Sequence, residues 1–397
     1  MPPTITDEQR RARLAVRHRL TPQTAGRSPV DAAEAVLALH ATDPASVFLS
    51  ARARGNGTAV EDVEQALYVE RSVVRMLGMR RTMFVTPTDL VPVVHAACTK
   101  AVAAKERTKL LEFVAQTGFT TSPQRWLRRV ERDTLDALRA RGEATASELT
   151  EDVPELGRKI LVGSGRWQAE QGAATRVLFL LAADGEAIRG RPRGSWLSTQ
   201  YRWASTDTWL PTGPLPDLDT DAARSTLARR WLWAYGPATE ADLKWWTGWT
   251  LTQTRRALAG LDVVEVELSN GTGYLLADDV DQVATPPPWV ALLPALDPTA
   301  MGWTGRDWFL GPHRDALFDD VGTSATDAVH EAAGALQTWL GPARITPRFR
   351  TPARARAHHL TRPGNPRLSR CNTNLTGRSI KPNLGGVVIR RRSTDPL

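Results

Sequence analysis

The stretch from residue 222 to residue 279 restricts the fold of this chain most, because its hydrophobic period changes within it. Apolar residues recur at helical spacing over 222–235, 240–246 and 252–261, with a glycine in each of the two breaks. Thr239 precedes the second of these segments as an N-cap candidate, with a carboxylate three residues later. The pattern therefore predicts three short helices in succession.

Two strand patterns follow these helices. Val263–Leu268 and Tyr274–Ala277 flank the turn dipeptide Asn270-Gly271, which predicts a hairpin. Three helices followed by a hairpin is the order of a winged helix, whose third helix commonly enters the major groove of DNA. We therefore expect Arg255 and Arg256, on the third helix, to face DNA. The alternative is a winged helix used only for packing or for protein interaction, because a fold does not fix a function.

An eight-residue pattern occurs twice, each time between a predicted first helix and a predicted second helix. Residues 142–149 and 236–243 share Gly-x-Ala-Thr-x-x-acid-Leu. The shared residues supply a tight turn, an N-cap threonine, a carboxylate at the third helical position and a core-facing leucine. The repeat predicts a second winged helix, with helices over 123–141 and 171–181 and a hairpin over 187–203.

A third set of helices followed by a hairpin precedes residue 88. After a first helix through about His18, Ser28 is the N-cap candidate of a helix over 29–40, and Pro44 is expected to end or redirect it. Arg80 and Arg81 lie at the turn of the hairpin and are expected to bind DNA, with a solvated basic face as the alternative. The remaining predicted elements are helices over 46–54 and 60–68 and strands over 73–77 and 83–85.

Proline-rich linkers at 210–219 and 279–289 separate the later units. We predict an α+β, mainly α chain of three tandem winged helix-turn-helix units, then a small, shortened C-terminal α/β module and a disordered basic tail. The module has a strand from residue 290, an amphipathic helix over 324–340 and a short strand over 345–349. The expected boundaries are 5–88 for the first winged helix, 89–210 for a helical connector and the second, 220–283 for the third, 289–352 for the module and 353–397 for the tail.

The charge of the chain is unevenly distributed. The chain has a net charge of +8, but residues 343–397 hold 13 lysines and arginines and one acidic residue, so the rest has a charge of about −4. Contact with double-stranded DNA must therefore come from local basic patches rather than from a basic body. The basic tail is either an arm that grips DNA or a solvated tail without a function.

Composition also excludes several classes of protein. No apolar run approaches the ~20 residues of a membrane span, and the N-terminal segment lacks the apolar centre of a secretory signal. Cys98 and Cys371 suggest neither a disulfide framework nor a metal site, so we expect no metal and a reducing, cytoplasmic location. The chain has no phosphate-binding glycine loop and no nucleophile elbow, and we expect no cofactor. Protein partners cannot be inferred from the sequence.

The densest polar cluster near a predicted helix end is LHATDP, at residues 39–44. His40 and Thr42 lie two residues apart, so both side chains would face one cleft if the chain is extended there. His40 can donate or accept a proton near neutral pH, and Asp43 can accept one or position a water. The simpler interpretation is a hydrogen-bonded core histidine on an apolar helix face, followed by an Asp-Pro turn.

Arginines, small residues and rings alternate over residues 189–203, which suits contact with nucleic acid. Arginines beside aromatic rings can hold phosphates and stack on an exposed base, whereas the alternative is a solvated basic face. The residues expected to bind DNA in this stretch are Arg191, Arg193, Trp196, Tyr201 and Arg202, with Arg189 and Trp203 beside them.

Six segments resemble the actinobacterial family of winged helix DNA-binding domain-containing proteins, which is related to the AlkZ and YcaQ DNA glycosylases. The segments are LHATDPASVFLSAR, MLGMRRTMFV, RPRGSWLSTQYRW, YGPATEADLKWWTGWT, LLPALDPTAMGW and LGPARITPRFRTP. The resemblance implies a C-shaped arrangement of three winged helices with a C-terminal β-module, closing on double-stranded DNA. It also implies a glycosylase-like repair protein acting on alkylated bases. A non-enzymatic DNA binder or transcriptional regulator is the alternative, and a scaffold that never meets DNA is a third.

In glycosylase members of the related group, a Gln-x-Gln or Gln-x-Asp motif positions a water that cleaves the N-glycosidic bond of alkylated purines. By the resemblance, this motif falls on His40-Ala41-Thr42, with His40 at the first glutamine and Thr42 at the second position. Neither residue matches the motif, and a threonine cannot act as a base. Asp43, one residue later, is the candidate substitute.

Overall fold

The computed structural model describes residues 2–163, 168–311, 318 and 337–340. Within these ranges the chain is mainly helical, with one three-stranded and four two-stranded antiparallel sheets. The predicted α+β, mainly α class is therefore confirmed. The predicted tail after residue 352 and the predicted strand over 345–349 lie outside the described residues.

The first part of the chain forms four helices and the three-stranded sheet. The Thr6 hydroxyl accepts a hydrogen bond from the Gln9 amide and so caps the first helix. The elements are α1 Asp7–Arg17, α2 Pro29–Ala35, β1 Leu39–His40, α3 Pro44–Arg54, α4 Val60–Tyr68, β2 Val73–Leu77 and β3 Met83–Pro87. The strand order in the sheet is β1-β3-β2, so the first strand in the chain pairs with the last.

The predicted helix over 29–40 is wrong beyond Ala35. Leu37 takes a φ of 62°, a left-handed conformation that a helix cannot contain. His40 then pairs with Phe84 of β3 and lies on a buried strand rather than on a helix face. Pro44 does not end a helix but begins α3, at the position where a missing amide hydrogen costs nothing.

The middle part is built around two long helices. The predicted helix over 123–141 is confirmed. The connector before it is helical from Val91 to Thr117 and contains a π turn over His95–Thr99. A hairpin that the sequence analysis did not predict precedes α9, which begins at Ala173 rather than Gln171. The elements are α5 Val91–Val94, α6 Lys100–Thr117, α7 Pro123–Arg141, α8 Ala146–Asp152, β4 Lys159–Val162, β5 Ala169–Gly172, α9 Ala173–Ala183, β6 Ala187–Pro192, β7 Tyr201–Ser205 and α10 Thr206–Trp209.

The last part follows the predicted order of three helices and a hairpin. Its final strand, Gln337–Leu340, pairs antiparallel with β10, so the predicted helix over 324–340 is wrong at its end, and 324–336 lie outside the described residues. The elements are α11 Thr220–Tyr235, α12 Glu240–Thr247, α13 Leu251–Ala259, β8 Val263–Leu268, β9 Gly271–Leu276, β10 Val290–Leu293, α14 Pro298–Met301, α15 Asp307–Leu310 and β11 Gln337–Leu340.

The eight-residue repeat corresponds to one local structure that occurs twice. Thr145 and Thr239 cap α8 and α12, each in a reciprocal capping box with the carboxylate three residues later. The alanine before each threonine pairs with the last strand of the following hairpin, as Ala144 with Trp203 and Ala238 with Tyr274. His40 pairs with β3 in the same way, so all three parts share this connection.

Because the hydroxyls of these two residues accept hydrogen bonds from amides in the first turn of a helix, Thr145→Ala and Thr239→Ala should each lower the free energy of unfolding by about 1 kcal/mol. Chemical denaturation of the two variants measures this. Thr226→Ala is the control, because Thr226 is exposed in the interior of α11 and its hydroxyl bonds only to the Ala222 carbonyl. Losses no larger than that of the control would contradict the role given to the caps.

Two apolar clusters form the interior. One joins the first and last parts and contains Trp231, Trp246 and Trp303, and the other fills the middle part around Trp126. A fully buried ion pair lies where α3 meets α14: Arg54 donates to both carboxylate oxygens of Asp297, at 2.6 Å each. The segment after β10 is therefore held to the first part by charge as well as by apolar packing.

Candidate nucleic-acid interface

Segment 40–43 connects β1 to α3 and carries the three residues predicted for catalysis. Thr42 and Asp43 are exposed, whereas the His40 side chain is only 7% exposed. The His40 ring packs edge-on against Phe84, with the ring centroids 5.2 Å apart. Its Nδ1 is buried and has no hydrogen-bond partner among the described residues, so the expected hydrogen-bonded core histidine is not what the structure contains.

The protonation state of His40 follows from its surroundings. Burial and, to a smaller extent, the Arg80 charge lower the pKa of His40 to about 4, and Asp43 opposes both. The imidazole is therefore neutral at neutral pH and offers a nitrogen as an acceptor. Asp43 is the N-cap of α3: its carboxylate accepts hydrogen bonds from the amides of Ala45 and Ser46 and from the Ser46 hydroxyl.

The turn between β2 and β3 lies beside His40 and contacts both other parts of the chain. Arg80 and Arg81 both have left-handed backbones, with φ of 53° and 60°. The Arg80 guanidinium lies 3.9 Å from the centre of the Trp245 ring on α12. Burial lowers the pKa of Arg80 to about 10, and this arginine forms no ion pair within the described part of the chain. Arg81, in contrast, pairs with Glu106 at 2.9 Å.

The β6–β7 hairpin packs against helices α3 and α4 of the first part. Trp196 contacts Phe48 of α3, with ring centroids 4.8 Å apart, so its ring is used in packing. Arg191 pairs with Glu64 of α4 at 2.9 Å. Arg193 is exposed at the hairpin end, and Arg202 is partly exposed on β7. Of this predicted cluster, therefore, Arg193 and Arg202 have solvent-accessible side chains, while Arg191 and Trp196 have partners within the fold.

Two arginines outside the predicted set complete the surroundings of this segment. Arg75 is 1% exposed, donates to the Ala41 carbonyl at 2.9 Å, and lies 4.7 Å from the Tyr201 ring centre. Arg189 lies 5.5 Å from the same ring and 5.3 Å from that of Trp203. One signal could have identified Arg75: it is a charged residue in the otherwise apolar strand VVRML.

The two arginines predicted to face DNA from the third helix of the last part are ion-paired. Arg255 bonds to Glu240 at 2.9 Å, and Arg256 bonds to Asp221 at 3.0 Å. No hydrogen bond, ion pair or ring contact among the described residues links either arginine to segment 40–43. The structure thus brings together His40, Thr42, Asp43, Arg80 and Tyr201 and leaves Arg255 and Arg256 apart.

Two buried histidines should make stability depend on pH. Burial lowers the pKa of His18 to about 3 and that of His40 to about 4, from 6.5. The unfolded chain then binds protons that the folded chain does not, so stability should fall as pH drops below 6.5, by up to about 1.4 kcal/mol per pH unit for each histidine. Urea denaturation between pH 6.5 and pH 4 measures this. His40→Gln should have the shallower slope, and equal slopes in variant and wild type would contradict the neutral His40.

Within the described ranges, no three His, Cys, Asp or Glu side chains lie together as a metal site requires. Over the same residues, no helix is both long and apolar enough to cross a membrane.

The family model described as DNA glycosylase AlkZ-like matches residues 33–336 of this chain. Among solved structures, the DNA glycosylase AlkZ of Streptomyces sahachiroi has a similar fold, with a TM-score of 0.62 and 18% sequence identity over 81% of this chain and 84% of that one. No curated protein matches. Because the family model spans well over half of the residues, including segment 40–43, the chain belongs to the AlkZ-like DNA glycosylase family.

Proposed function

We propose that this protein binds double-stranded DNA across segment 40–43 and hydrolyses the N-glycosidic bond of alkylated purines. The observation that carries the proposal is the set of arginines around this segment. Arg80 and Arg189, both partly exposed, form no ion pair with any carboxylate of the described residues, nor does the buried Arg75, whereas most other arginines in the described part of the chain do. Arginines that are not paired with carboxylates within the fold can bind the phosphates of a DNA backbone.

The interpretation of the three parts as winged helices belongs to this proposal. In each part, a short strand segment precedes the second helix and pairs with the last strand of the hairpin that follows. This shared pairing supports the interpretation. On this basis the units are 5–88, 89–210 with its helical connector, and 220–283, followed by the C-terminal module from 289. The similar structure from Streptomyces sahachiroi is named a DNA glycosylase, which supports the proposed activity.

In the proposed reaction, a water oxygen bonds to the anomeric carbon while the bond from that carbon to the purine nitrogen breaks. An alkylated purine is cationic, so it leaves as a neutral base with the bonding electrons and needs no general acid. Neutral His40 accepts a hydrogen bond from the water through a ring nitrogen and orients it, and the proton that the water loses passes to solvent. The Asp43 carboxylate, exposed beside it, stabilises the positive charge that develops on the sugar.

A second candidate, a DNA binder without catalysis, is favoured by one specific observation. The Asp43 carboxylate already caps α3 through three hydrogen bonds, and Thr42 has no acid–base capacity at neutral pH. A protein that had lost the reaction would keep the arginines that hold phosphates. Such a protein would bind duplex DNA with steep salt dependence and release no base.

Base release from alkylated duplex DNA by the wild-type protein distinguishes these candidates. The proposed function predicts free alkylated purine and an abasic strand, formed in proportion to enzyme and time. Salt-dependent binding without base release would establish the binder instead. Absence of binding to duplex DNA even at low salt would contradict both.

A further inference from the structure

We infer that the cleft between the β6–β7 hairpin and the start of α8 is a binding site for one phosphate of a DNA strand, with Arg189 and Arg193 as its ligands. This inference rests on the proposed function, because DNA is the source of the phosphate. The cleft has a volume of about 330 Å³, close to the lower limit of small-ligand pockets. Its lining is Thr145, Ala146, Ser147, Arg189, Arg193, Thr199, Gln200, Tyr201 and Trp203.

The orientation of Arg189 is fixed by two aromatic rings. Its guanidinium carbon lies 5.5 Å from the Tyr201 ring centre and 5.3 Å from that of Trp203. Its Nε is buried without a hydrogen-bond partner among the described residues. A planar guanidinium held in this way offers two parallel N–H groups at a fixed angle, which is the geometry that binds phosphate oxygens.

The charges around the cleft also favour an anion. Burial lowers the pKa of Arg189, as does the nearby Arg75, so two cations lie close together without an ion-paired carboxylate in the described part of the chain. The acidic residues near the cleft accept hydrogen bonds within the fold, and the charge of Glu148 also acts on Arg193. Glu148 accepts hydrogen bonds from the backbone and hydroxyl of Thr145, and Asp43 accepts three from the start of α3. An anion bound between Arg189 and Arg193 would reduce the repulsion between Arg189 and the neighbouring Arg75.

A chain of contacts connects this cleft to segment 40–43. Tyr201 lies between Arg189 and Arg75, at 5.5 Å and 4.7 Å from their guanidinium carbons. Arg75 donates to the Ala41 carbonyl at 2.9 Å. A strand whose phosphate occupies the cleft is therefore held in a defined position relative to His40 and Thr42. Because of this position, we assign the cleft to a phosphate of the bound DNA strand rather than to a separate small molecule.

The test measures the affinity of duplex DNA over a salt series for wild type and three variants. In Arg189→Gln, the slope of log affinity against log salt should fall in magnitude by about 0.9, the value for one phosphate, and affinity at low salt should fall roughly tenfold. Arg189→Lys keeps the charge but not the planar donors, so it should keep the slope and still lose affinity. Arg139→Gln is the matched control, because Arg139 is exposed in the same part of the chain but pairs with Asp136 and Asp207.

A second arm does not require DNA. The thermal midpoint of unfolding is measured in inorganic phosphate and in chloride at equal ionic strength. Phosphate should raise the midpoint of wild type and of Arg139→Gln but not that of Arg189→Gln. An equal rise in all three would overturn the anion site. If phosphate binds through Arg189 but the salt slope for DNA is unchanged in Arg189→Gln, the site takes free phosphate, and its assignment to a DNA strand is overturned. Failure of wild type to bind duplex DNA would instead overturn the proposed function.

Discussion

Replacing His40 with alanine is expected to slow the release of alkylated bases by about 10²- to 10³-fold. His40 supplies an acceptor nitrogen in segment 40–43, because its lowered pKa keeps the imidazole neutral at neutral pH. Affinity for undamaged duplex DNA should change little, because the arginines that hold phosphates are intact. Single-turnover base release, with DNA affinity measured in parallel, separates the two effects.

Two further variants separate a loss of catalysis from a loss of folded protein. Thr42 is exposed, so Thr42→Ala is expected to leave both stability and base release within a few-fold of wild type. The double variant H40Q/T42Q carries the residues that the resemblance places in glycosylase members, and it should release bases at least as fast as wild type. Wild-type rates in a folded His40→Ala protein would remove His40 from the mechanism.

Replacing Asp297 with alanine is expected to lower the free energy of unfolding by about 3–5 kcal/mol. Asp297 and Arg54 are both fully buried, and Ser50 and Thr299 complete their hydrogen bonds. Burial alone would raise the pKa of Asp297, but Arg54 holds it below its ordinary value, so the carboxylate stays charged. Without it, the Arg54 charge is left buried and unpaired. Denaturant unfolding of the variant measures the loss.

The matched control is Asp278→Ala, because Asp278 pairs with Arg229 but both side chains are about half exposed. An exposed pair of this kind contributes less than about 1 kcal/mol. The double variant Arg54→Met with Asp297→Leu should recover part of the stability, since it leaves no unpaired charge in the interior. Equal losses in Asp297→Ala and Asp278→Ala would show that the buried pair is not a principal contact between α3 and α14.

The parts of the fold that the sequence predicts well are those decided by neighbouring residues. The capping boxes at Thr145 and Thr239 and the end of α11 at Gly236 depend on residues within one helical turn, and the structure confirms them. Strand β1 could not be predicted in this way. Its two residues form a strand because they pair with Phe84 and Val85, more than 40 positions later. Helical spacing alone predicted that α2 continues through these two residues.

The candidate site was predicted only in part, for a similar reason. His40 and Arg80 were identified from local sequence, but the partners that decide whether an arginine is available come from distant segments. Arg256 is held by Asp221 on another helix, and Arg191 by Glu64, 127 positions earlier. Arg75 was overlooked because strand VVRML predicts a buried β-strand, and its contact with the Ala41 carbonyl exists only in the folded sheet.

The claim on which the account depends is that segment 40–43 faces bound DNA. A photoreactive amino acid placed at Thr42, which is exposed, tests it directly with a labelled duplex containing an alkylated purine. The same amino acid at Trp233, which is 54% exposed and lies against Arg17 in a separate groove, is the comparison. We expect a covalent adduct from position 42 that added salt suppresses, and little adduct from position 233. Adducts from position 233 with none from position 42 would contradict it.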